Sequence, residues 1–211
     1  MSATIGSPGF LRLLLVVNAG VPMLLLGYDT ARGQLGTNPP EYLIRTTGML
    51  TLIMMVITLT ITPAMRWTAT PALIQVRRLA GLFTFAYASL HAVAYSWFDK
   101  ALDPSLILTD LVRRPFILLG MTAFAILIPL AATSTHGMVR RIGGRNWKRL
   151  HRLVYLAAMA GAIHYYLLVR ADKRLPLAFG LVIAGLLLWR ARKTNRARRS
   201  THNLAGSDSL Q

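Results

Sequence analysis

The chain has 211 residues, 54% of them hydrophobic, a mean hydropathy of +0.47 and a formal net charge of +17 at pH 7. It is too apolar for a soluble domain of this length, which must cover its surface with polar groups. The basic residues cluster at the ends of apolar runs and form no separate domain, so they point to membrane flanks and not to nucleic acid. There is no cysteine, which excludes disulfides, thiolate-held iron–sulfur clusters and covalently attached c-type haem.

A transmembrane helix needs roughly 20 mostly apolar residues to cross about 30 Å of hydrocarbon. Six stretches qualify: 10–28, 46–62, 79–98, 115–133, 150–169 and 175–189, the sixth being the shortest. The expected fold is therefore all-α, an integral membrane bundle of six transmembrane helices over residues 10–189. A short N-terminal segment, 1–9, precedes it, and a basic, flexible tail, 190–211, follows. The first span reads as a retained helix and not a cleaved signal peptide, because its apolar core is long and no small-x-small cleavage site follows. Pro63, Pro71, Pro104, Pro115 and Pro176 punctuate span ends, whereas Pro22 and Pro129 fall inside spans as expected kinks. No internal repeat is evident.

Charge orients the bundle. Arg66, Arg77 and Arg78, then Arg140, Arg141, Arg145, Lys148 and Arg149, then the arginine-rich tail from Arg190 to Arg199 fall on alternate connections, all on one side. Positive residues favour the cytoplasm, so both termini are expected there. Asp29, Glu41, Asp99, Asp103, Asp110 and Asp172 fall on the opposite side. Arg113, Arg114, Arg170 and Arg174 run against the bias, which makes them candidate partners for an anionic group at the outer face.

Ionisable side chains inside a span are costly and mark a cavity, a partner or a cofactor. His91 lies in the third span and His164 in the fifth; His151 opens the fifth. Both spans run from the cytoplasm outward. His91 is about 18 Å along its helix and His164 about 21 Å along its own, at 1.5 Å per residue. The two are therefore expected at one depth, in the outer half of the bilayer. Two facing imidazoles at one depth are what a six-coordinate b-type haem needs. Ala157, Ala160 and Gly161 near His164, and Ala88 and Ala94 near His91, either leave room for a porphyrin or let helices pack closely.

His151 lies roughly 20 Å below His164 on a continuous helix, with the two side chains about 140° apart around it. It marks a possible inner site that lacks an obvious second histidine. His136 falls in the cytoplasmic loop, from which it could reach across to that site, but it reads first as a solvated residue. No Gly-x-Gly-x-x-Gly motif or soluble dinucleotide domain is present, so electrons must enter from a membrane donor or a separate protein.

Three segments carry a family resemblance: Leu35-Gly-Thr-Asn-Pro-Pro40, the run from Arg77 to His91, and Ala132-Thr-Ser-Thr-His-Gly-Met-Val-Arg-Arg-Ile-Gly-Gly-Arg-Asn-Trp-Lys-Arg-Leu-His151 continuing to His164. These resemble the MsrQ (YedZ) family, the haem-binding membrane subunits of bacterial methionine-sulfoxide reductase systems, within the wider ferric-reductase-like transmembrane domain. The resemblance covers nearly the whole chain except the tail. It implies a multi-pass protein of the bacterial inner membrane that binds haem b and FMN. It further implies that electrons pass from the respiratory quinone pool to a periplasmic molybdopterin enzyme that reduces methionine sulfoxide in oxidised proteins. His91, His151 and His164 occupy the family's histidine positions. One histidine of the four found in eukaryotic ferric reductases is missing here, and no dehydrogenase domain is present. Two further readings stand beside this one: a stand-alone ferric or quinone reductase using the same haem, and a small transporter whose histidines relay protons or bind metal.

Overall fold

A computed structural model of the chain describes residues 7–207, with side chains described for 7–192. Among the described residues the secondary structure is helical throughout and contains no strand. The helices are α1 (Pro8–Ala31), α2 (Pro39–Trp67), α3 (Leu73–Ala94), α4 (Pro104–Arg113), α5 (Pro115–Ala132), α6 (His136–Ile142), α7 (Gly144–Leu150), α8 (Val154–Leu168) and α9 (Arg174–Ser207). A π turn, Tyr95–Asp99, extends α3, and a 3-10 turn, His151–Leu153, joins α7 to α8.

Helix starts follow one recipe. Ser7, Asn38 and Asp103 each precede a proline, and each side chain accepts a backbone N–H of the first turn, from Phe10, Glu41 and Ser105 respectively. Proline costs nothing at a first position whose N–H has no intrahelical partner. Asn38 also donates to Glu41 Oε2 at 2.9 Å, closing the cap from both sides. Thr135 caps α6 through Met138 N. Gly143, at φ +83°, ends α6 and starts α7, a left-handed position that glycine takes without steric cost.

Five helical stretches are long and apolar enough to cross a membrane: Pro8–Ala31, Pro39–Trp67, Leu73–Asp99, Pro115–Ala132 and Arg174–Arg192. They match five of the six expected spans and make the chain a multi-pass membrane protein. The expected fifth span, 150–169, takes a different form: a 3-10 turn followed by the 15-residue α8. At 1.5 Å per residue α8 is about 22 Å long, short of a full hydrocarbon crossing. Pro63 lies inside α2 and not at its end, alongside Pro22 in α1 and Pro129 in α5. The tail expectation divides: backbone helix continues to Ser207, and residues 208–211, like 1–6, lie outside the described residues.

Two helix pairs dominate the packing. α2 lies against α3, and α5 against α8; α3–α5 and α2–α8 contacts bring the pairs together. α1 is tied to α3 by the buried Tyr87 hydroxyl, which donates to Ala19 O at 2.6 Å. Thr58 and Thr84 meet at 3.3 Å between α2 and α3, while each hydroxyl also approaches the carbonyl four residues back in its own helix. Phe85 and Phe124 stack across α3 and α5 with centroids 6.0 Å apart. On the side opposite the histidine pair, the Arg190 guanidinium donates to Tyr155 Oη and to Leu59 O, joining α9 to α8 and α2.

Candidate functional site: two docked histidines and an inner cavity

His91 and His164 come together, as their matched depths suggested. Their ring centroids are 6.2 Å apart, with ring planes at 78°. Each ring is held by the partner helix of its own pair. His91 Nδ1, from α3, lies 2.9 Å from Ile44 O on α2. His164 Nδ1, from α8, lies 2.5 Å from Phe116 O on α5. A carbonyl can only accept, so in each ring Nδ1 carries the proton and donates it. This fixes the neutral tautomer and leaves the Nε2 lone pair available to a metal.

The sequence reading missed what lies beneath these rings. Gly48 on α2 and Gly120 on α5 face them directly. A Cβ at Gly48 would stand 3.0 Å from His91 Cε1, and one at Gly120 would stand 2.9 Å from His164 Nδ1. Neither glycine had a signal in the sequence, because a glycine in an apolar helix usually serves packing. Ala88, Ala157 and Ala160 are buried in the main apolar cluster. A Cβ at Gly161 would make only an ordinary 3.6 Å contact with Leu52.

His151 sits apart from this pair. Its ring stacks on Trp147, centroids 3.8 Å apart and planes at 25°, and its Nδ1 lies 3.2 Å from Trp147 O. Trp147 is fixed in turn by donating its indole N–H to Thr133 O at 2.9 Å. His151 Nε2 is buried and has no hydrogen-bond partner among the described residues. It borders a cavity of about 340 Å³ whose lining includes Arg77, Arg78, Thr84, His136, Trp147 and His151. His136, expected to be a solvated loop residue, is exposed and also borders this cavity. The expected angular offset between His151 and His164 assumed one continuous helix, and the 3-10 turn at His151–Leu153 breaks that assumption.

At the end of the bundle where the acidic connections lie, Asp110 on α4 is the centre of a polar cluster. Its carboxylate accepts from the Tyr95 hydroxyl at 2.8 Å, and it pairs with Lys100 Nζ at 2.7 Å and Arg114 Nε at 3.3 Å. Tyr95 lies one turn beyond His91. The hydrogen bond from Lys100, then that from Tyr95, holds the Asp110 carboxyl below the usual range, and the same bond to Asp110 raises Lys100. Two of the four outer arginines therefore have protein partners: Arg114 pairs with Asp110, and Arg174 with Asp172 at 4.0 Å.

An all-helical membrane chain with paired intramembrane histidines is the class of protein this fold and site define. Residues 47–162 match the family described as the ferric reductase like transmembrane component. The chain is 48% identical over 169 residues to the protein-methionine-sulfoxide reductase haem-binding subunit MsrQ of Caulobacter vibrioides, covering 80% of each chain. It is 43% identical over 199 residues to that of Herminiimonas arsenicoxydans, covering 93% of this chain and 91% of the relative. The Rhodospirillum rubrum protein is 43% identical over 190 residues, with 90% and 91% covered. The chain belongs to the MsrQ family of haem-binding subunits.

Proposed function

We propose that the chain is the transmembrane electron-transfer subunit of a methionine-sulfoxide reductase system and binds haem b between His91 and His164. The carrying observation is the imidazole pair itself, 6.2 Å between centroids with both Nδ1 atoms engaged by carbonyls. Two neutral imidazoles brought together across a gap, each with its Nδ1 proton engaged and its Nε2 lone pair left over, are the donor set that would hold a haem iron. The residues present therefore fit the group. A haem bound there supplies one-electron redox chemistry. The protein's own contribution is to hold two neutral rings in fixed orientations, in surroundings shielded from water by α2, α3, α5 and α8.

The working orientation takes the short α8, together with the turn before it, as the fifth of six spans within 10–189, both termini cytoplasmic, in a bacterial inner membrane. Electrons enter from the quinone pool and leave to a periplasmic molybdopterin sulfoxide reductase, and the chain does no sulfoxide chemistry itself. The relatives' name and the basic bias of the inner connections support this direction. FMN belongs to the proposal by family resemblance alone. A second, inner cofactor site with His151 as one ligand is favoured by the buried, unpartnered Nε2 and by His136 on the same cavity.

Absorbance of the purified protein tests the reading. The parent should show a Soret band, lost or halved in His91→Ala and His164→Ala, with His136→Ala sparing the outer haem. A parent without a Soret band would leave the histidine transporter as the surviving reading. Reduction of ferric chelates or quinone without any sulfoxide reductase would favour the stand-alone reductase.

A further inference from the structure

We propose that Gly48 and Gly120 are positioning residues, the floors of two equivalent notches that each orient one imidazole of the pair. The proposal rests on haem being bound by His91 and His164.

The two notches share one construction. In α2, Ile44 offers its carbonyl and Gly48 lies four residues on; in α5, Phe116 and Gly120 repeat the spacing. In an α-helix the carbonyl of residue i accepts the N–H of residue i+4. Each histidine thus donates to the carbonyl already bonded to the glycine's own N–H, and a carbonyl has a second lone pair for it. Reaching that lone pair requires the ring to lie against the helix where residue i+4 would project its Cβ. A Cβ at Gly48 would lie 3.0 Å from Cε1 and 3.1 Å from Nδ1 of His91; one at Gly120 would lie 2.9 Å from Nδ1 and 3.0 Å from Cε1 of His164. At Gly120 the contact falls below what a real Cβ tolerates, so the His164 ring would have to shift; at Gly48 the His91 ring would have to give by a few tenths of an ångström.

The carbonyl residue and its histidine are 47 residues apart in the first notch and 48 in the second. The likeness nevertheless lies in the carbonyl–glycine spacing alone, since α2 runs directly into α3 while α6, α7 and a 3-10 turn lie between α5 and α8. Gly20 and Gly185, also inside long apolar helices, have nothing within 4 Å of a built Cβ. Close approach of an imidazole is thus no general property of glycines in this bundle.

The test compares Gly48→Ala and Gly120→Ala with Gly20→Ala and Gly185→Ala, all purified in detergent. Haem per chain and the low-spin electron paramagnetic resonance g values of the oxidised protein are measured. Alanine is the better helix former, so a purely local effect would leave the notch variants at least as well folded as the controls. Expected is a threefold or greater loss of haem in each notch variant, or retained haem with a shifted largest g value; the controls match the parent. Parent haem content and g values in both notch variants would overturn the proposal. Should a notch variant fail to accumulate, electron–nuclear double resonance on the parent decides. Each axial ring should then carry a hydrogen-bonded Nδ1 proton that exchanges slowly with D2O, and a freely exchanging proton on either ring overturns the proposal. If His91→Ala and His164→Ala retain the parent's haem, the ligand reading fails and the notches fall with it. If those two lose haem while the notch variants keep it unchanged, the notch proposal alone fails.

Discussion

Replacing Asp110 by asparagine should destabilise the outer end of the bundle by an amount its contacts define. Asp110 and Lys100 have side chains only 10% and 11% exposed and lie 2.7 Å apart. Asparagine keeps an acceptor for the Tyr95 hydroxyl but removes the charge that Lys100 and Arg114 face. Lys100 is not stranded, because Asp99 remains 3.1 Å away. The loss is therefore that of a charge-assisted hydrogen bond, about 1.5–3 kcal/mol. It stays below the 3–5 kcal/mol that follows when a buried ion loses its only partner. For a chain of this size that corresponds to a melting temperature lowered by roughly 3–12 °C. The pH dependence is sharper evidence. The Asp110 carboxyl is held below its ordinary range, chiefly by Lys100. Its stabilisation is then complete above the unfolded value of about 3.9 and lost as pH falls through the lower folded value. Lys100 is raised by the same bond, so its part is complete below about 10.4 and lost only as pH rises through its folded value. Thermal unfolding of parent and Asp110→Asn in detergent should thus differ by a constant amount between about pH 5 and 9, and the difference should close in acid. Equal stability at pH 7, or an undiminished difference at pH 3, would refute the assignment of Asp110 as the charged centre of this cluster.

Tyr87→Phe removes the buried bond to Ala19 O and should cost about 1 kcal/mol, read from unfolding in a graded detergent series; haem content should not change. Arg190→Ala removes both the Tyr155 and Leu59 contacts and should cost about 2–3 kcal/mol, since the donor is charged. Chemical denaturation followed by tryptophan fluorescence measures it, with Trp189 beside the substituted residue as the reporter.

The long helices were legible in the sequence because hydropathy and proline punctuation act locally. Five spans follow from apolar length alone, and Pro104 and Pro115 do stand at helix starts, while the capped starts at Pro8 and Pro39 lie before the apolar runs begin. The meeting of His91 with His164 was legible too, because rise per residue converts sequence position into depth. What escaped was lateral. Which helix each imidazole leans on, and through which carbonyl, depends on the α2–α3 and α5–α8 pairing, and no side-chain pattern encodes a backbone acceptor. His136 is exposed, as expected of a solvated residue, but it opens the short helix α6 and so also borders the cavity of His151, which sequence position alone does not show. The short α8 escaped because hydropathy does not register the change to a 3-10 turn at His151. Arg114 and Arg174 looked like unpaired outer cations until their acids, one of them a turn away on α4, were placed beside them.

The pairing of each histidine with its own neighbouring helix has a consequence for how the protein is made. A polar ring entering a bilayer without a partner carries a heavy desolvation cost. Here α2 and α3 leave the ribosome as one hairpin, and that hairpin alone supplies the carbonyl for His91. α5 and α8 do the same later for His164. Neither half waits for the other, or for iron, before its imidazole is accommodated. Each half thus contains the acceptor for its own imidazole, and the 6.2 Å approach of the two rings requires neither histidine to borrow a hydrogen-bond partner from the other half.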